Sequence, residues 1–139
     1  MAAETSPDVD AVVQSSFAVL DVLTASAAQH GLSLTQLRLL GILRDRSPSM
    51  AAIADHLGLD RSSVSGLIDR AERRGLVARR TSADDARVTI IDLTAGGLEL
   101  AEELAGTVDG RIEALLKGLT AAERRELAGL ALRLTRSAH

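Results

Sequence analysis

Met50-Ala51-Ala52-Ile53-Ala54-Asp55-His56-Leu57, then Gly58-Leu59-Asp60, then Arg61-Ser62-Ser63-Val64-Ser65-Gly66-Leu67-Ile68-Asp69-Arg70-Ala71-Glu72-Arg73-Arg74 is the stretch that decides the fold. In its first part Ile53, Ala54 and Leu57 fall at i, i+1 and i+4, the spacing of one buried helical stripe. Gly58 ends that helix, because glycine takes the left-handed backbone of a C-cap without steric cost. Leu59 plugs the turn. Asp60 stands where an N-cap carboxylate accepts hydrogen bonds from the free amides of a second helix, from about Arg61 to Arg74.

Within this second helix Val64, Leu67, Ile68 and Ala71 fall at i, i+3, i+4 and i+7. That leaves Arg61, Ser62, Ser65, Gly66, Asp69, Arg70 and Arg73 facing away. The outer face is small and polar near its start, which lets a helix approach a surface closely, and Arg70 reaches past it. Entry into a major groove about 12 Å wide demands such a shape. An isolated helix with this face reads as solvated. The order of a small Ala54, Gly58 four residues on, and apolar Val64 and Leu67 resembles a helix-turn-helix, whose second helix reads bases.

After Gly75 the period changes to about 2. Residues 76–81 and 88–93 are β-prone, and Ser82-Ala83-Asp84-Asp85-Ala86-Arg87 between them reads as the polar tip of a hairpin, or wing. Asp85-Ala86-Arg87 followed by Leu93-Thr94 matches the D-x-R…L-T signature of the MarR (multiple antibiotic resistance regulator) family, which the chain resembles over nearly its whole length. The expected fold is mainly α with a small antiparallel β-wing: a winged helix-turn-helix with N- and C-terminal dimerisation helices. The expected boundaries are 1–32 for the first dimerisation helix, 33–94 for the DNA-binding lobe and 95–139 for the last two helices. The resemblance further implies a third short strand near residues 47–50.

Around this lobe the elements follow from caps and stripes. Residues 1–6 read as an irregular terminus. Ser6-Pro7 starts a helix with the apolar stripe Val9, Val13, Phe17, Leu20, Leu23 and Ala27, stopping near His30-Gly31. Ser33-Leu34-Thr35-Gln36 is a capping box opening a helix to about residue 46, before Pro48. Thr94 caps the next helix, in which Ala101, Ala105, Val108, Ile112, Leu115 and Leu119 trace a heptad-like seam from Leu98. Gly96, Gly97, Gly106, Gly110 and Gly118 weaken this segment. Thr120-Ala121-Ala122-Glu123 opens a final helix with Leu127, Leu130, Ala131 and Leu134 on one face.

Composition narrows the function. A chain of 139 residues with 46% hydrophobic and 25% charged residues suits one folded domain with helical arms. No run approaches the roughly 18 uninterrupted apolar residues of a membrane span, and residues 1–10 lack the pattern of a secretory signal, so a cytoplasmic protein without membrane association is expected. The absence of cysteine excludes disulfides, thiolate metal sites and thiol redox sensing. His30, His56 and His139 are isolated, and no phosphate loop or catalytic cluster occurs; no enzyme activity, metal or cofactor is expected. The net charge of −3 hides a basic island. Residues 61–87 hold seven arginines against four carboxylates, which favours one docking face for double-stranded DNA.

The candidate DNA-binding residues are Arg61, Ser62, Ser63, Ser65, Gly66, Arg70, Arg79, Asp85 and Arg87. Asp85 and Arg87, two apart in extended chain, are placed to pair, by themselves a surface ion pair worth no more than about 1 kcal/mol; the resemblance implies that Asp85 braces the hairpin while Arg87 reaches a minor groove. Arg73 and Arg74 read as complements to the dipole of their own helix. At Gly66 the chain departs from the long basic residue common in the family, shifting base contacts toward Arg61 and Arg70. Phe17, the sole aromatic, reads by burial tendency as core. The resemblance also implies a small aromatic or other hydrophobic ligand, for which Phe17, His30 and Arg38 are the candidates. The function implied is a sequence-specific, ligand-responsive repressor that binds a pseudo-palindromic operator as a homodimer. The alternative is a winged-helix module that binds protein and not DNA, which would need an apolar outer face on residues 61–74.

Overall fold

Ser33, Ser49, Asp60, Thr94 and Thr120 each precede a helix, and each side chain accepts a hydrogen bond from a backbone amide three residues on. These bonds satisfy amides that a helix leaves open at its start. In the computed structural model, which describes residues 3–138, they set off α1 (Pro7–Ala28), α2 (Leu34–Arg44), α3 (Met50–Leu57), α4 (Arg61–Arg73), α5 (Ala95–Leu116) and α6 (Ala121–Ser137). The expected boxes at Ser33/Gln36 and Thr120/Glu123 are both reciprocal. Ser49, unread in the sequence, caps α3 through Ala52 N at 3.1 Å. The Ser6 hydroxyl bonds to the Asp8 carboxylate instead of an amide, so α1 begins on Pro7 alone. Residues 3–6 lie outside any helix or strand; residues 1 and 2 of the expected irregular terminus fall outside the described residues.

Gly58 has φ 65°, and its amide bonds back to Ala54 and Asp55, closing α3 as expected. Strands β1 (Val77–Thr81) and β2 (Thr89–Leu93) pair antiparallel, from Val77 opposite Leu93 to Thr81 opposite Thr89. The third strand implied by the resemblance is reduced to one bridge, Ser49 with Ile90, beside an Ile91 N to Pro48 O bond of 2.9 Å. Pro48 has no N–H to extend the ladder, and Ser49 is already committed to capping α3. α2 ends two residues earlier than expected, at Arg44.

The contacts gather into two compact units, one ending at Val108 and one beginning at Asp109. The first has two buried clusters. Leu39 and Leu43 of α2, Ile53 and Leu57 of α3, Val64, Leu67, Ile68 and Ala71 of α4, and Val77 and Ile91 of the hairpin form the core beneath α4. Removing a buried Leu or Ile from such a core typically costs about 2–5 kcal/mol. Ala27, Leu32, Leu40, Ala101 and Leu104 form the other cluster, and Leu76 and Leu93 pack against both. In the second unit Glu113 accepts from Arg124 Nη2 at 2.7 Å, while Leu127, Leu130 and Leu134 are exposed.

Two features of the arms differ from the sequence reading. Gly97 is not merely a weak point in α5: a Cβ there would stand 1.9 Å from Leu76 O. Thr94 Oγ1 meanwhile donates to Gly75 O at 2.6 Å and accepts from Gly97 N, so the first turn of α5 is clamped on Gly75-Leu76. The buried face of α5 is Gly97, Ala101 and Leu104, while Leu98, Leu115 and Leu119 of the expected seam are exposed. On α1 the stripe is covered only at its end: Ala27 is buried, whereas Val9, Val13, Leu20 and Phe17, at 56% exposure, lie outside the chain's own core. Despite Asp21 within it, α1 is long and apolar enough to cross a membrane, with a mean hydropathy of 1.5 in its most apolar window.

Gly97→Ala should lower stability by about 2 kcal/mol or more, because backbone must move to admit a methyl group. Gly41→Ala, where no atom lies within 4 Å of the new Cβ, should gain up to about 1 kcal/mol from helix propensity. Urea unfolding of the two variants should move their midpoints in opposite directions.

Acid should also act through specific groups. The amide of Ser63 and the hydroxyl of Ser62 hold the Asp60 carboxyl below its ordinary pKa, Ser47 and then Arg80 do so for Asp92, and the Thr120 amide does so for Glu123. A carboxyl with a lowered folded pKa stabilises the fold above its unfolded value, about 4, and loses that contribution as pH falls through the folded one. Melting temperature should therefore fall as pH drops below about 4, and Asp60→Asn or Asp92→Asn should flatten that dependence.

Candidate nucleic-acid interface

α4 buries one face completely, with Val64 and Leu67 at 1% and 2% exposure and Ile68 at 0%. Arg61, Ser62, Ser63, Asp69, Arg70 and Arg73 are exposed on the rest, while Ser65 and Gly66 are half-buried and sit lower on the surface than a fully outward position would. Asp60 Oδ1 takes Ser63 N at 2.7 Å and the Ser62 hydroxyl at 2.8 Å, so the acidic cap is engaged by its own helix. The outer face of residues 61–74 is polar, without the apolar patch a protein-binding module needs.

Tertiary structure sorts the seven arginines of residues 61–87. Arg74 donates to His30 O at 3.0 Å and Gly31 O at 3.2 Å, so the dipole-complementing role expected at its own helix end is directed to the chain just beyond α1. Arg79, a candidate DNA contact, forms an ion pair with Asp69 that ties β1 to α4. Arg80 pairs with Asp92 at 2.6 Å. At the wing tip Arg87 holds Asp85 with two bonds of 3.1 Å while its side chain remains 90% exposed. The guanidinium and the amide of Arg87 both hold the Asp85 carboxyl below its usual pKa. The side chains of Arg61, Arg70 and Arg73 have no hydrogen-bond or ion-pair partner among the described residues, and all three lie on α4.

Hollows flank the helix on both sides. One, of about 430 Å³, is bordered by Arg61 and Ser65 on α4 and by Arg87 and Thr89 of the wing, which brings helix and wing candidates together. The other, of about 410 Å³, joins Ser62, Ser63, Gly66 and Arg70 to Ser33 and Thr35 at the start of α2. Ser33 and Thr35 escaped the sequence reading as site residues because only folding brings the start of α2 beside α4; the capping role of Ser33 gave no sign of it.

The ligand candidates are more dispersed. Arg38 borders a cleft of about 270 Å³ with Gly41, Ile42, Arg46 and His56, in which neither Phe17 nor His30 takes part. His30 is half-buried, its Nε2 3.9 Å from Glu103 Oε1. Among the described residues no three His, Asp or Glu side chains come together in a way that could hold a metal.

Comparison with known proteins follows the same outline. Residues 30–88, from the end of α1 to the wing tip, match the model of the MarR family. Three solved structures share the fold along almost the whole chain. MarR of E. coli in its apo form is 22% identical, with TM-score 0.79 over 95% of this chain and 98% of that one. The MepR–DNA complex of Staphylococcus aureus is 23% identical, with TM-score 0.76 over 96% and 99%. NadR in complex with 4-hydroxyphenylacetate is 24% identical, with TM-score 0.78 over 96% of each chain. Residues 30–88 thus carry the sequence pattern of the MarR family on the helix-turn-helix and wing, and the chain as a whole shares the winged-helix fold of MarR-family structures.

Proposed function

We propose that the chain is a homodimeric regulator that binds a pseudo-palindromic operator in double-stranded DNA and represses a nearby gene. The MarR family consists of transcriptional regulators and not enzymes, and the observation that carries the finer reading is the set of partner-free arginines on α4. Arg61 and Arg70 project from a small polar helix face, with the wing and Arg87 alongside. In this reading α4 enters the major groove, with Arg61 and Arg70 reaching base edges and Ser62, Ser63 and Ser65 contacting the backbone. Arg87, preset by Asp85, reaches a flanking minor groove, and Arg79 serves DNA indirectly by holding the wing against α4. MepR, solved with DNA, supports the choice of ligand class.

The residues 1–32 and 95–139 serve as dimerisation arms. The exposed Val9, Val13, Phe17 and Leu20 of α1 and Leu127, Leu130 and Leu134 of α6 are apolar surfaces that a second copy would cover. Dimerisation accounts for the apolar α1 without a membrane, and the reading places the protein in the cytoplasm beside its DNA. Two lobes held about one helical turn apart meet successive major grooves, so any ligand that changes their separation changes affinity. NadR, solved with a phenolic acid, makes a small aromatic anion the effector class to test first, with Phe17, His30 and Arg38 as its candidate contacts.

Sedimentation of the full-length protein should give the mass of two chains, and Phe17→Glu combined with Leu20→Glu should weaken that association by at least tenfold. A stably folded monomer of the unaltered chain at micromolar concentration would refute the dimeric reading.

Arg70→Ala should cost about 1–3 kcal/mol on the preferred operator and relax base choice at one position per half-site. Arg87→Ala should weaken operator and scrambled duplex more nearly alike, lowering the salt slope by about one unit per subunit for each phosphate it ceases to neutralise. Salt titrations of both variants on both duplexes separate these effects. An Arg70→Ala protein with unchanged affinity and base preference would return the protein-binding alternative to first place.

A further inference from the structure

Side chains on a helix lean toward its N-terminus, so a residue covers the turn before its own Cα. Arg70 does so over Gly66: a Cβ at position 66 would stand 3.2 Å from Arg70 Nη1 and 4.0 Å from Arg70 Cζ. That spacing is tighter than ordinary van der Waals contact, so even one methyl group at 66 would move the guanidinium. The Arg70 side chain has no hydrogen-bond or ion-pair partner among the described residues. No polar bond holds it there, and the space it occupies is open because residue 66 has no side chain. The neighbouring Ser62 hydroxyl is directed to Asp60 at 2.8 Å, which leaves the hollow to the guanidinium.

We propose that Gly66 and Arg70 form one specificity-determining unit, in which the missing side chain at 66 seats the Arg70 guanidinium and thereby chooses the base pair it meets. The proposal rests on the reading that α4 enters the major groove. One helical turn is about 5.4 Å and successive base pairs are about 3.4 Å apart, so an arginine lying back by a turn addresses a base pair one or two steps from the one nearest its own Cα. Gly66 is then not a gap in the reading face but the seat of an arginine that arrives from the next turn. A side chain placed at 66 would lift the guanidinium and change the position it reads.

The test is selection of bound sites from a random duplex pool by the full-length wild-type, Gly66→Ala, Arg70→Ala and doubly substituted proteins. Arg70→Ala should reduce discrimination at one base pair per half-site by roughly 5- to 100-fold. Gly66→Ala should reduce or relocate the preference at that same base pair, by about threefold or more. In the Arg70→Ala background, Gly66→Ala should have no further effect there, since the group it displaces is gone. Alanine is a far better helix former than glycine, so a melting temperature that holds or rises removes unfolding as the cause. A wild type that selects a sequence, with Gly66→Ala selecting the same one, overturns this inference alone. So does an effect of equal size with and without Arg70. A wild type that enriches no sequence overturns the DNA-reading function as well.

Discussion

The backbone at Gly75-Leu76 is the point on which the other elements bear. It leaves α4 and enters β1, and the first turn of α5 presses on it so closely that position 97 has no room for a Cβ. Thr94 joins the contact from the other strand, with its amide on Leu76 O at 3.0 Å and its hydroxyl on Gly75 O. Helix end and hairpin base are thus bonded backbone to backbone, and the Thr94 hydroxyl, held between Gly75 O and Gly97 N, ties the arm to both. Interiors packed at this density transmit displacement instead of absorbing it. A displacement of the start of α5 would therefore bear on the end of α4 and the base of the wing together, the link that the proposed regulator needs between its arms and its reading helices.

Charge is arranged around the same lobe by pairing and not by abundance. Asp69, Asp85 and Asp92 each hold an arginine of the hairpin, while backbone carbonyls beyond α1 hold Arg74. These surface pairs contribute little stability individually, about 0–1 kcal/mol, but they restrict where the hairpin's charges lie. The arginines of residues 61–87 left without partners are confined to α4. An acidic protein can in this way present unpaired arginines together on one helix face.

Much of the architecture was legible because it depends on local rules. The caps at Ser33, Asp60, Thr94 and Thr120, the glycine turn at 58, and the 3.6-residue stripe of Val64, Leu67, Ile68 and Ala71 involve residues within one or two turns of each other. The hairpin followed from the change to a two-residue period. The third strand shortened to a single bridge beside the hairpin because Pro48 and the capping demand on Ser49 limit pairing, a competition visible only when both partners are in place. Phe17 and the rest of the α1 stripe were legible as apolar, but not as uncovered.

What the amino-acid sequence by itself determined is the order and type of the elements, the polar face of α4 and the basic excess of residues 61–87. Helical and strand periods, capping geometry and formal charge are properties of neighbours along the chain. Only the tertiary structure decided which arginines of that island remain free, that Ser33 and Thr35 stand beside the reading helix, that Gly97 is required by a backbone approach, and that Arg70 rests over Gly66. Each of these, even the four-residue relation of Arg70 to Gly66, depends on distances in space or on a side chain's rotamer, neither of which a residue's identity specifies.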